Sequence, residues 1–376
     1  MNSWKKIKLG DALDYVQPTQ YIVTSADYKE SNEIPVLTPG KSFILGYTDE
    51  KHGVFTDVPT IIFDDFTTAF KYVDFPFKVK SSAMKMLLPS SEEYNIKFLY
   101  YLMLTLNFTA DEHKRFWISQ YSQQEIFIPP LEQQKKIAAI LDAADAYRQK
   151  TKALIAKYDE LTQSLFLDMF GDPVKNEKGW EKLSGRVVFK LIGGAAFKSS
   201  DYTSQGIPLI RIGTVNKGYF DNAQLTFLPS SFEKSHSKYL VYPDDLLITL
   251  TGTVGKGDYG NAFSLTYEFE KYLLNQRVAK ICNSEKHHLV FLKFFLKQNK
   301  VKNELIGVSR GVRQANLSNE DFYKLETITP PLNLQTQFAE RVAIIEKQKV
   351  IAQASLEKAE ELFNSLLKRA FKGELL

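Results

Sequence analysis

Apolar residues recur at alternating steps of three and four along two long stretches of this chain. The first carries Ile137, Ile140, Ala144, Tyr147, Thr151, Leu154, Tyr158, Leu161 and Leu165; the second carries Phe338, Val342, Ile345, Ala352, Leu356, Ala359, Phe363, Leu366 and Ala370, with Lys349 interrupting. That period is a heptad seam and belongs to helices, not strands. A double proline opens each stretch, Pro129-Pro130 and Pro330-Pro331, where proline costs a helix least, and Gly171-Asp172-Pro173 ends the first. At 1.5 Å per residue each helix would run roughly 60 Å, more than the width of a small domain. Such a rod needs a partner, and a narrow apolar seam between charged flanks predicts that the two pack on each other as an antiparallel coiled coil.

The two stretches are copies. Pro129–Gly171 returns as Pro330–Gly373, and an ungapped overlay pairs Leu161 with Leu362, Ser164 with Ser365 and Phe170 with Phe371. The intervening segments repeat more loosely. Trp4 to Asp11 meets Trp180 to Val187, Ile34–Leu37 meets Ile207–Ile210, Gly46-Tyr47 meets Gly218-Tyr219, and Ile61–Phe63 meets Leu246–Ile248. Ala83–Met86 meets Val278–Ile281, and Ile96–Leu99 meets Leu289–Leu292.

Aromatic and β-branched runs such as Pro35–Leu37 and Thr60–Phe63 read as strands, and Ile96–Met103 as a helix, so both globular segments are expected to be α+β. The expected order is globule (1–128), rod (129–171), linker (172–179), globule (180–328), rod (329–376). If the rods pair antiparallel, a pseudo-two-fold axis relates two similar but non-identical globules.

Length and composition are those of a protein with two or three real cores. Net charge is +4, unevenly spread: the first globular segment has more acids than bases and the second more bases than acids. Nucleic acid, if bound by the first, must therefore meet a local patch. Cys282 is the one cysteine, which excludes an internal disulfide framework and suits a reducing compartment. The start has no apolar leader and the longest apolar-rich run, Phe98–Phe108, is too short to span a bilayer, so a cytoplasmic location without membrane contact is expected.

Catalytic constellations are sparse. The one Pro-Asp, Pro243-Asp244, has no Asp/Glu-x-Lys after it, and both Pro-Pro pairs precede Leu and not the aromatic of an amino-methyltransferase motif. Gly255–Gly260 matches a dinucleotide fingerprint in letters, but no helix signal follows it, and Gly252–Lys256 is too short for a phosphate loop. We read that stretch as a strand-to-strand turn. The five histidines and the single cysteine do not make a metal set, so no metal is expected.

What remains is basic and polar, in loops. In the first segment these residues are Lys41, Lys78, Lys80, Lys85, Lys114 and Arg115; in the second they are Arg211, Asn216, Lys217, Thr253, Lys256, Gln276, Arg277, Arg310, Arg313 and Gln314. Arg, Lys, Asn and Gln read base edges in the major groove, while Lys, Arg, Thr and backbone amides hold phosphates. Each alone also fits a solvated loop residue; the set describes a DNA-binding surface.

Three strings then carry a resemblance: Pro-Pro-Leu-Glu-Gln-Gln from Pro129 followed by Ile137 and Ile140-Leu141, Leu161–Pro173 at the end of the first rod, and Leu362–Leu375 at the end of the second. With these the chain resembles a specificity subunit of a type I restriction-modification system over its whole length. The resemblance implies two target recognition domains, each reading half of a split double-stranded DNA sequence, with the paired helices setting the gap. It implies two modification (methyltransferase) subunits that bind S-adenosylmethionine, and restriction (motor-nuclease) subunits that use ATP and Mg, with no cofactor in this chain and no catalysis by it. A recognition subunit of another restriction architecture, or a coiled-coil adaptor without DNA, are the alternatives.

Overall fold

The computed structural model describes residues 4–40, 42–106, 116–215, 218–222, 225–253, 258–282, 284–307 and 314–375. No helix among them is long and apolar enough to cross a membrane. The chain divides into two units: residues 1–153 with 352–376, and residues 154–351. Both long helices are present, at Leu131–Phe170 and Leu332–Phe371, and each contributes one half to each unit.

Within either unit the two helix halves run antiparallel. In the first, the Tyr147 and Ser355 hydroxyls are 2.7 Å apart, Lys152 pairs with Glu360 at 2.9 Å, and the Arg148 guanidinium lies 4.3 Å from the Phe363 ring. Ile137, Ala138 and Leu141 share a core with Phe363 and Ala370. In the second, Phe166 and Phe170 sit 5.7 and 5.3 Å from Phe338, and Lys349 reaches Asp159 at 2.5 Å. The lysine that interrupts the second seam is thus ion-paired across the helices.

The seam expected on the second helix matches the residues it buries: Phe338, Val342, Ala352, Ala359, Phe363 and Ala370 are buried, and Ile345, Leu356 and Leu366 half-buried. On the first helix the expected seam is kept in part, with Thr151 buried and Leu165 half-buried as expected, but three of its large members turn out and their neighbours turn in. Tyr147, Leu154 and Leu161 are 52%, 43% and 50% exposed, while Ala138, Leu141, Thr151, Thr162, Phe166 and Met169 are inside; Ile137 is buried, and Ile140, Ala144 and Tyr158 are half-buried. The cause lies at the helix ends, where Ile137, Ala138 and Leu141 enter one core and Phe166, Met169 and Phe170 the other. Those bulky anchors set the rotation, and between them the buried positions are small or polar, so the larger Leu and Tyr side chains turn outward.

Each unit contains the same frame. A four-stranded sheet runs in the order Leu13–Val16, Met84–Pro89, Thr60–Asp64, Phe70–Val73 in the first unit, and Lys190–Gly193, Val278–Cys282, Leu246–Thr249, Ala262–Ser264 in the second. A second sheet holds one parallel pair, Ile34–Leu37 with Lys78–Val79 and Ile207–Ile210 with Tyr272–Leu274. Lys5–Lys8 pairs with Glu125–Ile128 as Glu181–Ser184 pairs with Glu326–Thr329, closing each globular segment beside its long helix.

Two of the expected equivalences shift. Ile61 opposes Leu87 as Leu246 opposes Ile281, so Met84–Leu87 and not Ala83–Met86 matches Val278–Ile281. A one-residue slip along a strand reverses the face of every side chain, and it gives Lys85 the place of Ala279. Gly46-Tyr47 lies in the strand paired with Ile34–Leu37, whereas Ile207-Pro208 is paired with Phe227-Leu228, so Gly218-Tyr219 is not its counterpart.

A buried glutamine joins each long helix to its globular segment. Gln134 Nε2 donates to the carbonyls of Pro129 (2.9 Å) and Glu93 (3.0 Å), and its Oε1 accepts the Asn95 N–H at 2.8 Å. Gln335 repeats this with the carbonyls of Pro330 (2.7 Å) and Lys286 (3.0 Å) and the His288 N–H (2.9 Å). Asn95 and His288 in turn cap Ile96–Met103 and Leu289–Lys297 through Phe98 N–H and Val290 N–H. His287, fully buried, bonds Thr329 and the Ile328 carbonyl, so the adjacent histidines serve as cap and core.

Candidate nucleic-acid interface

Sheet topology brings chain-distant polar loops together at one place in the second unit. Where the strand Ile207–Ile210 ends, the Ile210 carbonyl accepts the Asn275 N–H at 3.0 Å, setting Arg211 beside the Asn275–Arg277 loop. That loop is fixed by Gln276 N–H to the Ala195 carbonyl (3.0 Å) and by Leu250 N–H to the Arg277 carbonyl (2.9 Å). Thr251–Thr253 then forms a strand with Gln314–Asn316, and Leu317 N–H donates to the Leu250 carbonyl at 2.7 Å. Thr253, Gln276 and Arg277 are exposed.

Arg211 is half-buried, with its guanidinium 5.4 Å from the Tyr202 ring and its Nε buried without a partner among the described residues. A cation held over an aromatic face loses little freedom when it meets an anion. Thr253 donates its N–H to Asp258 Oδ1 at 2.7 Å, which holds the strand end in place.

The first unit uses the same three backbone anchors around different residues. Lys80 N–H donates to the Leu37 carbonyl (3.1 Å), Asp65 N–H to the Ala83 carbonyl (2.9 Å) and Phe116 N–H to the Asp65 carbonyl (3.0 Å). Lys80 is exposed, its ammonium 5.6 Å from the Tyr28 ring.

Lys78 and Lys85 leave the expected basic surface. Both are 3% exposed. Lys78 donates to the His52 carbonyl at 2.6 Å and pairs with Glu50 at 3.1 Å; Lys85 pairs with Asp65 at 3.2 Å and covers the Tyr15 ring at 4.5 Å. The stretch from Lys78 to Lys85 has no acid of its own, but folding supplies Glu50 and Asp65 from elsewhere. These lysines neutralise the buried Asp65 and the half-buried Glu50 and present no charge to a ligand.

Lys41, Lys114, Arg115, Asn216, Lys217, Lys256, Arg310 and Arg313 lie outside the described residues, as does the side chain of Gln314 and the turn expected at residues 254–257. Tyr202 and Asp258 are additions that the sequence did not single out. Only the fold brings Tyr202 under Arg211, and Asp258 follows a glycine-rich run that drew attention for other residues.

Glu50 has the most perturbed carboxyl of this segment. Burial works against its charge, but the Thr24 hydroxyl, the Ser25 and Thr24 N–H groups and the Lys78 ammonium outweigh it and hold its pKa at about 2. Its role is to order the strand end beside Lys78.

The family model described as the type I restriction modification DNA specificity domain matches residues 1–159 and again 177–361. The chain is 48% identical over 164 residues to the type I restriction enzyme EcoR124I/EcoR124II specificity subunit of Escherichia coli, a match covering 42% of this chain and 40% of that protein. It is 24% identical over 318 residues to the MjaVIII specificity subunit of Methanocaldococcus jannaschii, covering 79% of this chain and 74% of that one. Among solved structures, the S subunit of a type I restriction-modification system from M. genitalium superposes with a TM-score of 0.62 at 16% identity, covering 98% of this chain and 96% of that chain. Two copies of one frame, each with its own match to the same model, have one reading: this chain belongs to the type I restriction-modification DNA specificity family.

Proposed function

We propose that this chain is the non-catalytic reader of a type I restriction-modification complex. Each globular segment reads one half of a bipartite double-stranded target, and the paired helices set the unspecified gap. The observation that carries this reading is the pair of equivalent loop clusters, held by the same backbone anchors but lined with different side chains. A common frame with unlike faces suits two unlike half-sites. Two readers carried on one chain gain from effective concentration when their separation matches the groove spacing along the duplex. Arg211, Arg277 and Lys80 contribute phosphate or base contacts, and Gln276 can read a base edge. Methyl transfer and cleavage belong to partners: two modification subunits with S-adenosylmethionine, and restriction subunits with ATP and Mg.

The test is reconstitution with the modification subunits and methylation profiling. Deleting one heptad from each long helix is expected to change the gap and leave both half-sites intact; altered half-sites overturn the strut. A complex that binds every duplex equally at physiological salt overturns the reader.

A further inference from the structure

A tyrosine with a cation over its face recurs at one place in each unit. Tyr28 precedes the strand Ile34–Leu37 and Tyr202 the strand Ile207–Ile210, and in each case the next residue is tied to the neighbouring strand. Lys29 N–H donates to the Tyr47 carbonyl (3.0 Å) and Thr203 N–H to the Phe227 carbonyl (2.9 Å). Tyr47 opposes Pro35 as Phe227 opposes Pro208, so the two tyrosines hold equivalent positions of one frame. The cations arrive from the two sides of one repeated backbone bond. Lys80, whose N–H donates to the Leu37 carbonyl at 3.1 Å, covers Tyr28 at 5.6 Å. Arg211, which follows the Ile210 carbonyl that accepts the Asn275 N–H, covers Tyr202 at 5.4 Å.

Packing holds the rings and leaves the cations unused. A Cβ on Gly46 would stand 2.5 Å from Tyr28 Cβ, so glycine there lets the ring seat on the sheet. Tyr202 packs against the core of Ile207, Leu209, Leu228 and Leu273. The buried Thr214 hydroxyl accepts the Arg211 N–H (3.1 Å) and donates to the Arg211 carbonyl (2.8 Å), which fixes the backbone from which the guanidinium projects. Among the described residues neither the Lys80 ammonium nor the Arg211 guanidinium has a hydrogen bond or an ion pair, in contrast to Lys78 and Lys85. The Tyr28 hydroxyl and Arg211 Nε are both buried without a partner, so the first position uses its ring and not its hydroxyl. A cation kept in place by an aromatic face, with its donors unspent, is ordered before a ligand arrives. With Nε buried, Arg211 offers its terminal nitrogens, whose fixed fork meets two adjacent acceptors end-on.

We propose that this place is the base-reading position of each unit: Arg211, backed by Tyr202, takes the O6 and N7 acceptors of a guanine in the major groove, and Lys80 on Tyr28 fills the same position for the other half-site. The proposal rests on the reader function given above and assigns its specificity-determining residues. A phosphate presents acceptors on several sides and asks only for positive charge. A guanine edge presents two acceptors in one plane, and a guanidinium held on a ring has a defined plane to match. The two units reach this arrangement with different residues, since Thr38 follows Leu37 where Arg211 follows Ile210, and Asn275 stands at the place of Lys80. A contact that served packing alone would be met by the same residue in both units; unlike cations in one slot suit unlike half-sites.

The experiment reconstitutes the full chain with modification subunits, reads the methylated motif, and measures competitive binding of duplexes changed one base pair at a time at fixed salt. R211K keeps the charge and R211A removes it; thermal melts, and the other half-site read in the same molecules, control for folding. Both variants are expected to lose about tenfold or more of the preference for one guanine in one half-site and to leave the other half-site intact. Y202F keeps that preference and Y202L weakens it, while K80A relaxes one position of the opposite half-site alone. Affinity that falls uniformly in R211A with a salt slope lower by about one, while R211K matches wild type and the motif is unchanged, makes Arg211 a phosphate contact and overturns the proposal. A wild-type motif that survives every Arg211 and Lys80 substitution also overturns it and leaves the reader standing. A wild-type complex that prefers no sequence defeats the reader, and this proposal with it.

Discussion

Replacing Gln335 with Leu isolates what the glutamine bracket contributes. Gln335 is 0% exposed and satisfies two carbonyls and one N–H at 2.7, 3.0 and 2.9 Å. Leucine leaves all three without a side-chain partner. An orphaned buried polar group costs about 1–3 kcal/mol, and carbonyls tolerate the loss better than N–H groups. Allowing about 1 kcal/mol back for the apolar side chain, the net loss is about 3–5 kcal/mol. For a unit of this size each kcal/mol moves Tm by about 2–4 °C, so the second unit is expected to melt about 10 °C lower. Hydrogen exchange locates the damage: the His288 amide loses protection while the Asn95 amide, held by Gln134, keeps it. Gln134→Leu reverses that pattern. A loss under about 1 kcal/mol, or exchange that rises equally at both amides, refutes the assignment of these bonds as the clamp between helix and globule.

Three further outcomes follow from the same geometry. In the isolated chain Leu161→Ala changes stability by no more than about 0.5 kcal/mol in urea melts, whereas Phe166→Ala, in the aromatic cluster with Phe170, Phe291 and Phe338, costs about 3–5 kcal/mol; the opposite ranking restores the seam read from the heptads. Lys85→Met strands Asp65, which also accepts the Trp117 N–H at 2.8 Å, and is expected to destabilise the first unit by about 3–5 kcal/mol; a stable variant with weakened DNA binding would return Lys85 to the interface. Because the folded-state pKa of Glu50 is depressed to about 2, its contribution is complete above the unfolded value near 4.5 and is lost as pH falls through that window to about 2. Glu50→Gln should flatten the acid limb of the stability profile there, and an unchanged limb refutes the role given to Thr24, Ser25 and Lys78.

The long helices and the duplicated order of strands were legible because hydrophobic period and spacing are local properties. Rotation of the first helix was not: its heptads favour Tyr147, Leu154 and Leu161, and the tertiary anchors at each end choose the adjacent face. The second helix read correctly because two of its three phenylalanines, Phe338 and Phe363, lie on the expected seam and are also its anchors. Lys78 and Lys85 misled for a related reason, since the acids that neutralise them come from other strands. Gln134 and Gln335 left a signal that went unused. A polar residue kept at the same distance from Pro-Pro in both copies, inside an apolar pattern, marks a buried hydrogen-bonding position.

What the duplication preserves and what it lets vary separate cleanly along the chain. The glutamine bracket, the capped helix it touches, and the backbone bonds at Leu37 and Ile210, Asp65 and Leu250, Phe116 and Leu317 recur in both units. All are internal, and most are made by backbone, so they tolerate any side chain that points outward. The outward positions differ: Lys80 stands where Asn275 stands in the other unit, and Ala83 where Arg277 does. A frame whose hydrogen bonds do not depend on the exposed residues can change what it recognises without losing stability. Two such frames in one chain can therefore hold different recognition chemistries while sharing one folding solution, which a two-part target requires.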